Sequence, residues 1–239
     1  MAAGLARTLG LRAPPLPWHT NRVVVASLGA ALGVACGACA KVATDVVLLS
    51  QGEAGEVSEG GGGRSSAMPQ KRNPARAVAV RAGASRAQAL VPVLMQSMAQ
   101  EHERAAGAWQ AEWEALSELL ELTAGVAANT AHMLRLLVVH PERMRQNLEA
   151  TRGLVMAEAV TVALSRMIGG VAARRAVDAA VATAGAGGLT LREALFLDAR
   201  VVEALGEAGI DAALAPERYL GSARTFIDNA RALFETLGE

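Results

Sequence analysis

Apolar positions along this chain recur at helical rather than strand spacing. Trp113, Leu116, Leu119, Leu120, Leu122 and Val126 lie three or four positions apart often enough to predict a helix over about 109–138. A long helix is predicted from about Thr20 to Leu49, with Gly29, Gly33 and Gly37 spaced among alanines and valines. A third is predicted from Pro74 toward Leu90, kinking near Pro92 and continuing to about Gln100. Asn73-Pro74 reads as its start, with Asn at the N-cap and Pro at the first helical position. His140-Pro141 opens another helix. Shorter ones are predicted at about 154–168, 172–184, 191–197, 201–208 and 222–237, with Gly185–Gly188 as punctuation. There is no credible alternating strand pattern and no internal repeat. The expected fold class is all-α: a long-helix bundle over 1–138, then a small C-terminal helical domain over 139–239.

Composition sharpens this picture. The 239 residues are 52% hydrophobic but 3% aromatic, so the core must be built from Ala, Val and Leu, which suits close-packed helices. The 23 basic and 23 acidic residues balance, so no whole-chain field draws the protein to nucleic acid. The stretch from Val23 to Ala40 is uncharged and sits at the lower edge of membrane-spanning length. Its many small residues, and its continuation through Lys41 and Asp45 in helical register, read instead as a helix buried at the centre of a bundle. The first apolar stretch is broken by Arg7 and Arg12 and followed by Pro14, Pro15 and Pro17, which does not fit a signal peptide. A cytoplasmic protein with no membrane contact is the expectation. Cys36 and Cys39 form a CxxC pair. No second CxxC or nearby His completes a metal site, so they read as small apolar residues of a helix.

The chemistry concentrates in GGGGRSSAMPQKRNP, Gly60–Pro74. Four glycines give the loop freedom, and Ser65 and Ser66 supply hydroxyls. Lys71 and Arg72 supply cationic donors, and the helix start behind Asn73 supplies the positive end of a macrodipole. Two readings stand side by side: a lid over a small carboxylate-bearing molecule, or a basic linker.

Ser65–Pro74, SSAMPQKRNP, closely resembles the signature loop of the fumarase/aspartase superfamily, GSSxMPxKxNP. Arg64 departs from it, standing where the family has Gly. PLPWHTNR (Pro15–Arg22), QEHERAAGAWQAEWEAL (Gln100–Leu116), LEATRGLVMAEAV (Leu148–Val160) and RYLGSA (Arg218–Ala223) resemble the 3-carboxy-cis,cis-muconate cycloisomerase branch. Val23 departs from that branch, which usually has Asp there.

The resemblance implies an intramolecular lyase. A carboxylate oxygen adds across a conjugated diene to close a lactone, with no metal and no organic cofactor, in the breakdown of aromatic compounds. It casts Ser65 as general base or acid, Ser66 as its assistant, and Lys71, Asn73 and Arg104 as binders of a di- or tricarboxylate substrate. For Arg104, an ion pair with Glu101 or Glu103 is the competing reading. His102 reads as a neighbour of the site, His19 as a packing or capping residue, His132 and His140 as structural, and Trp109 and Trp113 as core or interface.

Superfamily members are homotetramers whose active sites combine segments of three subunits. No match to the Ser/Thr-rich and His-containing stretches that precede the loop in the superfamily is found here. This implies an N-terminally truncated chain, with little activity of its own. Other superfamily lyases, such as adenylosuccinate lyase, and a non-catalytic helical oligomerisation module are the alternatives.

Overall fold

A computed structural model of the chain describes residues 2–60, 63–64 and 72–237. The chain divides into two compact units, Met1–Arg143 and Met144–Glu239. The architecture is all-α. The helices are α1 Ala2–Thr8, α2 Val23–Leu49, α3 Ala75–Gln96, α4 Ala108–Arg135, α5 Pro141–Ala150, α6 Ala157–Ile168, α7 Gly170–Gly187, α8 Leu191–Phe196, α9 Ala199–Leu214 and α10 Ala223–Leu237.

The first unit is built on α2, α3 and α4. Gly29, Gly33 and Gly37 lie along the side of α2 that faces α3, and they let the two backbones approach closely. A Cβ on Gly33 would fall 2.7 Å from Val91 Cγ2. The shared core is aliphatic: Cys36, Ala43 and Val46 from α2, Val80, Ala84 and Leu94 from α3, and Leu119, Val126 and Met133 from α4. The thiol of Cys36 lies 3.4 Å from the Thr123 hydroxyl, and both cysteines are free. Because Gly29 faces both Leu94 and Leu119, the start of α2, the end of α3 and the start of α4 share one end of the bundle.

No strand was expected, yet two short antiparallel ladders close the opposite end. In one, β1 (Val57–Glu59) pairs with β4 (Leu137–Val139), Val57 opposite Val139 and Glu59 opposite Leu137. In the other, β2 (Gly63–Arg64) pairs with β3 (Arg72–Asn73), Gly63 opposite Asn73. Strands of two or three residues are too short to show a period of two.

Three other expectations need correction. Helix α3 runs through Pro92 but ends at Gln96 rather than near Gln100; there the Ser97 hydroxyl donates to Val93 O at 2.8 Å. Asn73 is not the N-cap of α3. Its backbone belongs to β3, Pro74 takes the capping position, and the helix begins at Ala75. Helix α2 is not buried all round. It is long and apolar enough to cross a membrane, and it buries one face against α3 and α4. Val23, Val24, Leu28, Val34 and Leu48 stay exposed, because the two partner helices cover only one side of it.

The second unit packs α6 to α9 around Val160, Leu164, Val177, Leu191, Leu195, Val201 and Ile210. Thr190 caps α8 in a capping box: its hydroxyl accepts from Glu193 N at 3.2 Å, and the Glu193 carboxylate accepts from Thr190 N at 2.8 Å. The Arg192 guanidinium donates to Asp211 and Glu207 and lies 4.7 Å from the Phe196 ring centroid. It holds the Asp211 carboxyl below its usual range. Helix α9 extends past the expected end near 208 to Leu214, with non-helical Gly206 at φ 64° and ψ 172° inside it. The residues of α10 are exposed along its length.

Candidate active site

Ser65, Ser66 and Lys71 lie outside the described residues, but the frame that carries their loop is described. Its centre is Glu59, which is 4% exposed. The Glu59 carboxylate accepts from Arg76 N at 3.1 Å and from Ala77 N at 3.2 Å. These are first-turn amides of α3 that no intrahelical carbonyl can satisfy, so Glu59 caps the helix from a strand 17 and 18 positions away. The Gly60 amide donates to Leu136 O at 2.8 Å, and the β2–β3 ladder joins the two sides of the loop. This corrects the expectation that the helix start is open to a substrate anion: two of its donors already serve Glu59.

Asn73 is half-buried in β3, on the far side of the loop. The Arg76 guanidinium, one turn on, donates to Asn129 Oδ1 at 3.3 Å. His140 accepts or donates at 2.9 Å with the Ser58 hydroxyl, and its amide bonds Glu56 O at 2.9 Å. It ties β1 to the segment after β4, in keeping with a structural histidine.

The opposite end of the bundle holds Arg104. Its side chain is exposed, and among the described residues it forms no ion pair with Glu101 or Glu103. Glu101 instead accepts from Ala106 N at 3.2 Å, which holds its carboxyl below the usual range, helped by its own backbone amide and by His102. His102 has a left-handed φ of 49°.

Beside this loop the start of α2 is locked to α4. Arg22 donates to both oxygens of Glu112, a pair whose side chains are 12% and 3% exposed. Arg22 also donates to Trp18 O at 3.0 Å. The His19 ring meets Trp109 edge-on at 4.6 Å, and Trp109 meets Trp113 edge-on at 5.1 Å. Buried Gln100 Oε1 has no hydrogen-bond partner among the described residues.

Asn73 and Arg104 therefore flank opposite ends of α3. A helix of 22 residues spans about 33 Å at 1.5 Å per residue. One copy of the chain does not bring these two residues together. The Arg22–Glu112 pair and the Glu59 cap were not foreseen. PWHTNR offered a hint of the first, since a basic residue before a long apolar helix needs a partner. Nothing in EVSEG signals the second.

Comparison with known proteins decides the family. Residues 2–89 match the family described as Lyase, and residues 153–230 match the adenylosuccinate lyase C-terminus. The chain is 44% identical to 3-carboxy-cis,cis-muconate cycloisomerase of Pseudomonas aeruginosa, over 100% of its own length and 52% of the relative's. It belongs to the fumarase/aspartase superfamily. Its superfamily relatives also include nitrosuccinate lyase of Streptomyces davaonensis, 39% identical over 94% of this chain and 48% of that one. In three dimensions it is similar to the 3-carboxy-cis,cis-muconate lactonizing enzyme of Pseudomonas putida, with a TM-score of 0.92 and 36% identity. That match covers 100% of this chain and 53% of the other. The chain thus spans about half the length of the superfamily members it matches.

Proposed function

We propose that this chain supplies the signature-loop half of a 3-carboxy-cis,cis-muconate cycloisomerase-type enzyme, a cytoplasmic catalyst of aromatic-compound breakdown. The observation that carries the reading is the segment Ser65–Pro74, which joins paired serines, a lysine and an asparagine on one loop. In the reaction a carboxylate oxygen of the substrate bonds to a diene carbon. The displaced electron pair is held as an aci-carboxylate, and a proton is delivered to the carbon α to that carboxylate. The product is an isomer, so no atom is gained or lost. Ser65 exchanges that proton, and Ser66 hydrogen-bonds the carboxylate. Lys71 and Asn73 hold the substrate, and Arg104 grips a second carboxylate with its planar fork. Fixed cations near the developing charge stabilise it by several kcal/mol.

The separation of Asn73 and Arg104 supports a site shared between copies, as does the exposed apolar face of α2; the assembly we propose is a homotetramer. The assay is loss of diene absorbance from 3-carboxy-cis,cis-muconate, run on this chain and on a version extended upstream. Turnover by the extended form alone, abolished by Ser65→Ala, is the expected result. Mixing inactive Ser65→Ala and Arg104→Gln chains should then recover part of the activity, because some assembled sites draw both intact residues from different copies. If neither form consumes the diene, the substrate assignment fails. The nitrosuccinate lyase relative then favours a lyase of another branch.

A further inference from the structure

The second unit holds a cavity of about 250 Å³ between α6, the end of α9 and the residues that follow α9. Its polar lining is Arg166, Arg218 and Tyr219. Arg166 comes from the last turn of α6, and Arg218 and Tyr219 from the short 3₁₀ turn Pro216–Arg218 and the residue after it. The rest of the lining is apolar: Val162 and four alanines, of which Ala159 is buried. Both arginines are exposed, so the cavity has a charged mouth above an apolar interior.

The arginines stand out by what they do not bind. Arg174, Arg192 and Arg200 of the same unit are each paired with aspartate or glutamate, whereas neither Arg166 nor Arg218 forms an ion pair among the described residues. Glu158, two turns before Arg166 on α6, is engaged by the Tyr219 hydroxyl instead. Desolvation, then the Glu158 carboxylate, holds that phenol above its usual range, so the hydroxyl stays protonated. Two unneutralised cations on one cavity repel each other, and a bound anion relieves the repulsion. A planar guanidinium suits a carboxylate best, because it donates two parallel hydrogen bonds. The alanines leave room beneath the charges for an apolar body. The volume lies just under the range of about 300–1,000 Å³ for drug-sized ligands, which points to a single ring rather than a nucleotide.

We propose that this cavity binds a small monocarboxylate with an apolar body, Arg166 and Arg218 holding the carboxylate while Val162 and the alanines take the body. The site is independent of the cycloisomerase-type reading. The segment RYLGSA supplies Arg218 and Tyr219, and the proposed reaction gives neither a role.

Tyr219 is the single tyrosine of the chain, so fluorotyrosine labelling places one fluorine at the cavity. The experiment is a fluorine NMR titration of the labelled full chain with benzoate. A saturable shift of the one resonance is expected. Benzamide, which keeps the ring and lacks the charge, should leave it unmoved. Inorganic phosphate, which keeps the charge and lacks the apolar body, should shift it only at much higher concentration. Arg166→Gln and Arg218→Gln should each raise the Kd for benzoate about tenfold, the scale of one hydrogen bond to a charged group, and the double variant should show no saturation. Both positions are exposed, so far-UV circular dichroism should stay unchanged. A resonance that benzoate does not move overturns the proposal. So does a double variant that binds benzoate like the parent chain. Benzamide binding as tightly as benzoate overturns the role of the arginines, and phosphate binding as tightly overturns the role of the apolar lining.

Discussion

Two buried acidic residues brace the two ends of the helical bundle, and they do so by different means. Glu112 is neutralised by Arg22, a charge against a charge. Among the described residues Glu59 has no cationic side chain against it and is held by the amides of Arg76 and Ala77, a charge against a helix terminus. Removing Glu59 leaves those two donors without their acceptor in a site from which water is largely excluded. Glu59→Ala should cost about 1–3 kcal/mol in urea unfolding. Amide exchange at Arg76 and Ala77 should accelerate more than elsewhere in α3. Glu59→Gln keeps one acceptor oxygen and should lose less. An Ala variant as stable as the parent would mean that water replaces the carboxylate at no cost. This residue also marks where the sequence stops being legible. Asn73-Pro74 announces a helix start, and one does follow within two residues. The group that caps it sits 17 positions earlier in a strand too short to show a pattern, and a cap supplied from a distance leaves no local signature.

At the scale of elements, periodicity located the long helices α2, α3 and α4, because burial of one face is written into the spacing of apolar residues. It failed where backbone conformation, rather than burial, decides. The expected end of α9 lay near 208, yet α9 continues to Leu214, and Ile210 beyond the break is fully buried. Gly206 does interrupt the helix, at φ 64° and ψ 172°, a conformation open essentially to glycine alone. No atom stands within 4 Å of where its Cβ would be, so any cost of substitution is conformational rather than steric. Gly206→Ala should therefore destabilise by about 1–3 kcal/mol in chemical unfolding. If instead the substitution stabilises, α9 has straightened into a continuous helix, and the break is no requirement of the fold. The approximate spans of the helices that enclose the second aliphatic core, α6 to α9, were readable in the sequence. The Arg192–Asp211–Glu207 cluster over it was not, because exposed charges on different helices carry no register in sequence.

At the scale of the whole molecule, the sequence feature that most needed structure was α2. Its uncharged stretch has membrane-spanning length, and its small residues and continuation through Lys41 and Asp45 favour the centre of a bundle, but composition does not show which of its faces is covered. In the structure, glycines at 29, 33 and 37 line the face against α3, while Val34 on another face is 74% exposed. The proposed assembly of copies would cover that second face and would bring Asn73 of one chain toward Arg104 of another. Val34→Glu tests this directly. In a lone chain a charge at so exposed a position should change stability by no more than about 0.5 kcal/mol. In a helix–helix interface it would have to be desolvated, at a cost of several kcal/mol per contact. The expected outcome, read by light scattering, is a drop in oligomer mass with far-UV circular dichroism unchanged. Diene turnover by the extended form should fall in parallel, because each site would lose residues from a second copy. If the mass holds while turnover falls, α2 shapes the site without forming the interface. If both hold, the apolar face of α2 faces something other than another copy, and a shared active site must be sought on a different surface.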